Sequence, residues 1–319
     1  MTYRREYMEI LVSVICNTYN QEAFIRDALD SFVMQKTTFP FEVLVHDDAS
    51  TDSTPQIIRE YAERYPDLIK PMFQTENQYS QKIPISKTFQ FPRAKGKYFA
   101  LCEGDDYWTD PLKLQKQVDA MEAHPEIDIC AHQAKCVRNG KVVEVIPHRN
   151  QDTIFTMEEV ILGGDGFVTT ASLMMRKELF DRGYRFLQLI SLDYIWQLSG
   201  TLRGGMLYLS DCMSVYRQFA SGSWTTRMKH DVTGQINHIN RVRGILQVMN
   251  EETGYRYAEA LKIKNAMWDL TIMARTGAWR KMLSAEGRKQ LRYFPIKRRI
   301  TYVLKAVRRS VTNWLAKRK

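Results

Sequence analysis

The sequence predicts an α/β protein built on a doubly wound, mostly parallel sheet. Two observations predict it. Short β-branched apolar runs alternate with segments of helical periodicity over roughly the first 125 residues, and three of those runs end in polar clusters. Such sheets bind ligands outside the carboxyl ends of their strands, near the point where strand order reverses. Asn17 to Asn20, Asp47 to Asp52 and Glu103 to Asp106 are therefore expected to line one crevice.

The elements follow in order. Leu11 to Cys16 is a β-branched run of the kind a buried parallel strand needs, and Phe24, Ala28, Leu29, Phe32 and Val33 then recur at helical spacing through Gln35. Phe41 to Val45 repeats the strand pattern. After it, Ile57, Ile58, Tyr61 and Ala62 mark a helix that Asp52 or Ser53 can cap, with Pro55 in its first turn. A third strand spans about Ile69 to Phe73, and a polar stretch from Gln74 to Lys97 leads to a fourth, Tyr98 to Cys102. Leu112, Leu114, Val118 and Met121 form the next helix.

From Asp128 the alternation weakens. Ile129 to Val137 and Lys141 to Ile146 read as an antiparallel pair joined at Asn139-Gly140, a strong hairpin signal. Phe167 to Met175 and Met206 to Tyr216 read as further strands, with a helix around Leu192 to Leu202 between them. Beyond Ser223 helices are expected over Thr233 to Asn250 and Tyr255 to Arg275. A division near residue 222 gives a sheet domain, 1–222, and a helical region, 223–319, with a basic amphipathic tail over 285–319.

Composition bounds the function. With 44% hydrophobic and 26% charged residues, 319 residues can bury a substantial core, as a folded soluble protein does. The first ten residues lack the apolar core of a signal peptide, and no run of about 18 apolar residues occurs, so a cytoplasmic protein without a spanning helix is expected. Five cysteines form no C-x-x-C pair and read as reduced core residues; the six histidines show no zinc-ligand spacing. The net charge of +10 is uneven. Residues 280–319 hold fourteen Lys or Arg and one acid, Glu286, giving +13 there and leaving −3 for residues 1–279. That distribution argues against a chain-wide nucleic-acid groove.

The densest chemistry is Leu101-Cys102-Glu103-Gly104-Asp105-Asp106-Tyr107-Trp108. Three carboxylates within four positions repel one another unless a cation or hydrogen-bond donors hold them, so a divalent-metal site at a strand end is one reading. A polar turn closing the strand is the other.

Three segments resemble the family 2 glycosyltransferases of GT-A fold, in the family's order and spacing: VSVICNTYNQEAFIRDALDSFVMQ, FEVLVHDDASTDST and AKGKYFALCEGDDYWTDPLKLQKQ. The resemblance covers roughly residues 1–125, the nucleotide-sugar half; FVTTASLMMRKELF, SLDYIWQL and VYRQFASGSW look like the acceptor half, 126–222. It implies an inverting, metal-dependent transferase that moves a sugar from a nucleotide-sugar, a UDP-sugar by its base reader, to a glycan or lipid-linked glycan in surface polysaccharide synthesis.

Glu103-x-Asp105 stands where the family has Asp-x-Asp, so Glu103 is a departure. The metal ligands implied are Asp105 and Asp106, for Mn2+ or Mg2+, whose hard character suits carboxylate oxygens. Thr18, Tyr19, Asp48, Glu103 and Asp105 would bind the donor, with Tyr19 stacking on the base and Asp48 accepting from a ring N–H. Tyr19 as a core-edge aromatic, and Asp47 and Asp48 as turn caps, are the competing readings. Lys82, Lys87, Arg93 and Lys95 are candidate cations for the diphosphate.

Asp193 occupies the position of the family's catalytic base, where it would take the acceptor proton; a first-turn or N-cap charge is the alternative. Tyr216-Arg217-Gln218-Phe219 departs from the family's Tyr-Arg-x-His. Phe219 cannot ligate, His230 is a possible substitute, and Arg217 is open to a phosphate or to a carboxylate.

In the tail, Ile296, Ile300, Val303, Leu304, Val307, Val311, Trp314 and Leu315 fall on one face. Lys297, Arg298, Arg299, Lys305, Arg308 and Arg309 fall mainly on the other. Peripheral contact with an anionic membrane at the inner face of the cell membrane, docking on the protein's own core, and nucleic-acid binding are the three readings, the last without a supporting motif. Competing with the enzyme are a non-catalytic nucleotide-sugar or membrane-binding scaffold, and a sugar nucleotidyltransferase. The latter usually needs a glycine-rich phosphate loop where Asn17-Thr18-Tyr19-Asn20 stands.

Overall fold

The computed structural model describes residues 9–146, 149–190, 192–218, 220, 226, 228 and 231–316. Phe219, His230 and the expected boundary near residue 222 lie outside them. The chain forms two compact units, residues 1–226 and 227–319.

In the first unit, β1 (Val12–Thr18), β2 (Phe41–Asp47), β3 (Ile69–Phe73) and β4 (Tyr98–Leu101) run parallel in the order β3-β2-β1-β4. The order turns back at β1, which is the switch point expected to receive a ligand. Both faces of the sheet are covered, which explains the continuous apolar runs. Val12, Val14 and Cys16 pack with Tyr98, Ala100 and Cys102 in one core. Against it lie α1 (Ile25–Val33), α2 (Thr54–Arg64) and α3 (Lys113–Ala123). Helix α1 docks because Ile25, Ala28, Leu29 and Phe32 recur at i, i+3, i+4 and i+7, and all four are fully buried.

The sheet continues through strands of mixed direction. β9 (Met174–Arg176) lies antiparallel between β4 and β6 (Ile129–Arg138), and β10 (Met206–Arg217) runs parallel to β6. β7 (Lys141–Ile146) completes the expected hairpin, Asn139 and Gly140 both having positive φ. β5 (Tyr107–Trp108) and β8 (Thr153–Phe155) add short antiparallel edges on β10. Two short helices, α4 (Met157–Gly163) and α5 (Arg185–Gln188), precede α6 (Asp193–Thr201).

The strand expected over Phe167 to Met175 is not continuous. Thr170–Ser172 forms a 3-10 turn, and only Met174 onward pairs in the sheet. Side chains take the place of the ladder there: Trp108 Nε1 donates to the Ala171 carbonyl at 2.8 Å and Gln117 Nε2 to that of Ser172 at 2.9 Å.

The second unit is helical: α7 (Val232–Glu252), α8 (Ala258–Thr276), α9 (Trp279–Met282), α10 (Ala285–Leu291) and α11 (Ile296–Ala316). Its core joins Leu270, Met273 and Ala274 of α8 to Met282, Leu291, Phe294 and Ala306. Gly277 ends α8 in the left-handed region, and a Cβ there would stand 2.8 Å from the Ser310 amide, so the close approach of α11 depends on glycine.

Here the expected single apolar face of the tail needs correction. Tyr302, Val303 and Ala306 pack inward, whereas Ile296, Ile300, Leu304, Val307, Val311, Trp314 and Leu315 are exposed. Val303 and Leu304, neighbours in sequence, stand about 100° apart and are parted between two environments. Among the described residues no helix is long and apolar enough to cross a membrane.

Candidate active site

The three polar strand ends are bonded into one floor. The Asp48 amide donates to the Thr18 carbonyl and the Gly104 amide to that of Asn17, each at 3.0 Å. Gly104 is required because a Cβ would fall 2.4 Å from Gln21 Oε1 and 2.8 Å from Thr18. The loops beyond β1 and β2 are also tied together. The Asn20 amide donates to Ser50 Oγ, the Thr51 amide to Asn20 Oδ1, and the Glu22 amide to Asp52.

On this floor Thr18 is buried, its hydroxyl donating to Gln21 at 2.8 Å, while the neighbouring Tyr19 ring is 41% exposed. Asp48 is buried, and its two oxygens accept from the backbone amides of Gln78 (2.8 Å) and Tyr79 (3.0 Å). Those bonds hold the loop beyond β3 over the Asp48 side of the floor and bring in an exposed aromatic, Tyr79, which no periodic pattern marks. Asp47 instead serves the turn, accepting from the Ser50 amide at 3.1 Å, and burial raises its pKa.

The acids after β4 are crowded. Asp105 and Asp106 are buried, and burial raises both, Asp106 well above the carboxylate range with further repulsion from Asp105. Glu103 is pushed up to about 8 by the protein mass around it, then by repulsion from Asp105 and Asp193. Its side chain keeps contact with water, so repulsion among the acids is the better-founded cause. Asp193, from α6, is bonded to Thr170, in the turn held by Trp108, two residues beyond Asp106. Asp193 stands in the first turn of α6 with Leu192 at the cap position, so it is not the N-cap. Its Oδ2 accepts from Thr170 Oγ1 at 2.9 Å and its Oδ1 from the Tyr194 amide at 2.7 Å. Thr170 thereby fixes the carboxylate's orientation, a role with no motif in the sequence.

The candidate cations divide. Arg217 is committed to protein: its guanidinium pairs with Asp27, donates to the Asp105 carbonyl at 2.8 Å and lies over the Tyr107 ring, while its amide donates to Asp106 at 2.8 Å. Of its two readings, the structure has the carboxylate pair. Arg93 is spent on the carbonyls of Val45 and Lys70 and on Gln90. Lys95 precedes the amino end of β4, the end of that strand opposite Glu103. Lys82 is exposed in the loop, and Lys87 donates to Gln188 of α5. That contact borders a cavity of about 300 Å3 lined by Phe91, Phe99, Phe180 and Trp196, the last one helical turn beyond Asp193.

Among the described residues no three His, Cys, Asp or Glu side chains form a ready-made metal cage. The donor set nevertheless suits a hard divalent cation. Asp105 and Asp106, with Glu103 beside them, offer oxygen ligands whose mutual repulsion a cation would relieve, and Mg2+ commonly takes one or two carboxylates and completes its shell with substrate phosphates.

Comparison with known proteins agrees with this geometry. The family model for glycosyl transferase family 2 matches residues 13–183. The chain belongs to that family. An uncharacterized protein of Mycobacterium tuberculosis is 34% identical over 274 residues, covering 83% of this chain and 75% of its own. Among solved structures, Staphylococcus aureus TarS 1–349 in complex with UDP-GlcNAc superposes with a TM-score of 0.54 at 19% identity, covering 92% of this chain and 84% of that one. The mannosyltransferase PcManGT of Pyrobaculum calidifontis, in complex with GDP-Man and Mn2+, gives 0.51 at 20% identity over 98% and 89%. These likenesses establish the GT-A fold, and the family membership makes the protein a glycosyltransferase that uses a nucleotide-sugar.

Proposed function

We propose that this family 2 glycosyltransferase transfers a sugar, with inversion, from a UDP-sugar to a hydroxyl of a glycan or lipid-linked glycan in surface polysaccharide synthesis. The observation that carries the reading is the bonding of the ends of β1, β2 and β4 into one floor, which gathers Thr18, Asp48, Glu103, Asp105 and Asp106 at the switch-point edge of the sheet. Asp193 is tied to the same neighbourhood through Thr170, whose turn is held by Trp108, two residues beyond Asp106, and this supports its role as the base.

The roles follow from chemistry. Tyr19 supplies an exposed ring for the nucleobase, and Asp48, fixed by two amides, keeps lone pairs for a base or ribose donor. Glu103 faces the donor, and Asp105 and Asp106 would hold Mn2+ or Mg2+; the ion, when bound, offsets charge developing on the leaving diphosphate. Asp193, oriented by Thr170, takes the acceptor hydroxyl proton as that oxygen bonds the anomeric carbon and the bond to the diphosphate oxygen breaks. TarS in complex with UDP-GlcNAc and PcManGT in complex with GDP-Man and Mn2+ are consistent with a nucleotide-sugar donor and a divalent ion. The same reading puts the protein in the cytoplasm, peripheral on the inner face of the cell membrane.

The test is hydrolysis and transfer with a panel of UDP-, GDP- and dTDP-sugars, with and without Mn2+. Turnover of a UDP-sugar that requires the metal is expected. Nucleotide binding with no turnover of any donor would turn the reading toward a scaffold.

A further inference from the structure

The second unit carries a surface that the sugar-transfer reading does not use. At about 100° per residue, α11 presents three adjoining stripes. The first, Tyr302, Val303 and Ala306, packs into the unit's core, with Ser310 close against Gly277. The second is apolar yet exposed: Ile296 (70%), Ile300, Leu304 (63%), Val307, Val311, Trp314 (51%) and Leu315. It runs nearly the length of a 21-residue helix, roughly 30 Å at 1.5 Å per residue. The third stripe, directly beside it, holds Lys297, Arg298, Lys305, Arg308 and Arg309.

Where the basic stripe meets the buried one lies a concave site. Arg298, Thr301, Tyr302 and Lys305 of α11 face Thr271 and Arg275 of α8 across a cavity of about 280 Å3. Among the described residues none of its three cations makes an ion pair; Arg298 rests over the Phe294 ring at 5.2 Å. Three cations with hydroxyls between them suit a phosphate group, which accepts hydrogen bonds on several oxygens at once. The long apolar stripe on the other flank of the basic residues suits a planar acyl boundary, with the Trp314 ring at headgroup level.

We propose that α11 and the end of α8 form a docking surface for an anionic phospholipid bilayer, the Arg275–Arg298–Lys305 pocket taking a phosphate headgroup while the exposed apolar stripe enters the interface. Charge complementarity decides for a membrane: an apolar stripe alone would fit a protein partner, but the adjacent cations match a negatively charged leaflet. The inference deepens the peripheral-membrane part of the proposed function and is independent of its catalytic part.

The full chain is sedimented with phosphatidylcholine vesicles, with and without phosphatidylglycerol. Binding is expected only with the anionic lipid and is expected to weaken with salt. The Arg275→Ala/Arg298→Ala/Lys305→Ala variant should bind on the order of a hundredfold more weakly, at about fivefold per cation. Ile300→Glu/Leu304→Glu should lose the binding that persists in moderate salt. Melting curves confirm that both variants fold, and donor hydrolysis without vesicles, expected unchanged, separates this inference from the catalytic one. Equal binding to neutral vesicles, no binding, or unaltered variants would each overturn it. So would a dimer that the glutamates dissociate, which would assign the stripe to a second copy of the chain.

Discussion

The floor of the sheet and the exposed side of α11 are both lopsided in charge, with opposite consequences. At the sheet end Glu103, Asp105, Asp106 and Asp193 crowd together, and the nearest arginine, Arg217, is already paired with Asp27. On α11 the excess is cationic, but Lys297, Arg308 and Arg309 stand in water. Burial of Asp105 and Asp106 makes the first imbalance costly, and a proton or a matching ligand relieves it; hydration makes the second cheap, and it acts at long range and in a salt-sensitive way. The acid cluster at the sheet end should therefore respond to single substitutions steeply, and the exposed stripe only through the surface it docks on.

The largest effect is expected at Asp193. Replacement by Asn keeps the side chain's size and its bond from Thr170 but removes the proton acceptor, so turnover should fall by about 10²- to 10⁴-fold. Nucleotide binding, followed by calorimetry, should persist. Equal loss of binding and turnover would reassign Asp193 to a structural charge. Next is Asp105→Asn, which should remove most of the gain in donor affinity that Mn2+ confers while leaving metal-free nucleotide binding nearly unchanged. A titration in which Mn2+ helps wild type and variant alike would exclude Asp105 as a ligand.

Much of this site was legible before the structure because strands and helices punctuate themselves. The run Val12 to Thr18 and the i, i+3, i+4, i+7 pattern from Ile25 fix direction as well as type, and three polar ends on parallel strands can only meet at one edge. What stayed hidden depends on long-range side-chain bonding without period. Gln78 and Tyr79 reach Asp48 from a loop, and Thr170 reaches Asp193 from a 3-10 turn that Trp108 and Gln117 hold. The two faces of α11 were hidden for a different reason. Val303 and Leu304 are equally apolar, and only the position of α8 decides which of them is covered.

Lys113 is a cation in the buried regime. It is fully buried, 3.8 Å from the Trp108 ring, its ammonium has no hydrogen-bond partner among the described residues, and burial lowers its pKa to about 7. Between that value and the ordinary 10.5 the unfolded chain binds the proton more readily, so this group's penalty is complete below pH 7 and fades as pH rises. Lys113→Met keeps the apolar stem and should stabilise the protein by about 1–3 kcal/mol near pH 6, after subtracting the lost cation–π contact. The gain should shrink toward pH 10. Melting temperatures at pH 6 and pH 9 check both the sign and the slope; a gain that does not change with pH would mean that Lys113 is accommodated as a charged group.

The smallest effect is expected at Arg308, and it is the one that most directly tests the contrast. Its side chain is exposed on the basic stripe, outside the lining of the pocket, and makes no ion pair among the described residues. Hydration already satisfies it, so Arg308→Ala should change the melting free energy by less than about 0.5 kcal/mol at any pH between 6 and 9. Its charge is still felt at a distance, so the same variant should bind anionic vesicles about fivefold more weakly at low ionic strength and indistinguishably at high salt. If Arg308→Ala instead lowered stability by as much as Lys113→Met raises it, the charge on α11 would be supporting the fold. The division between an imbalance held by burial and one held by water would then fail at the helix where it is drawn most sharply.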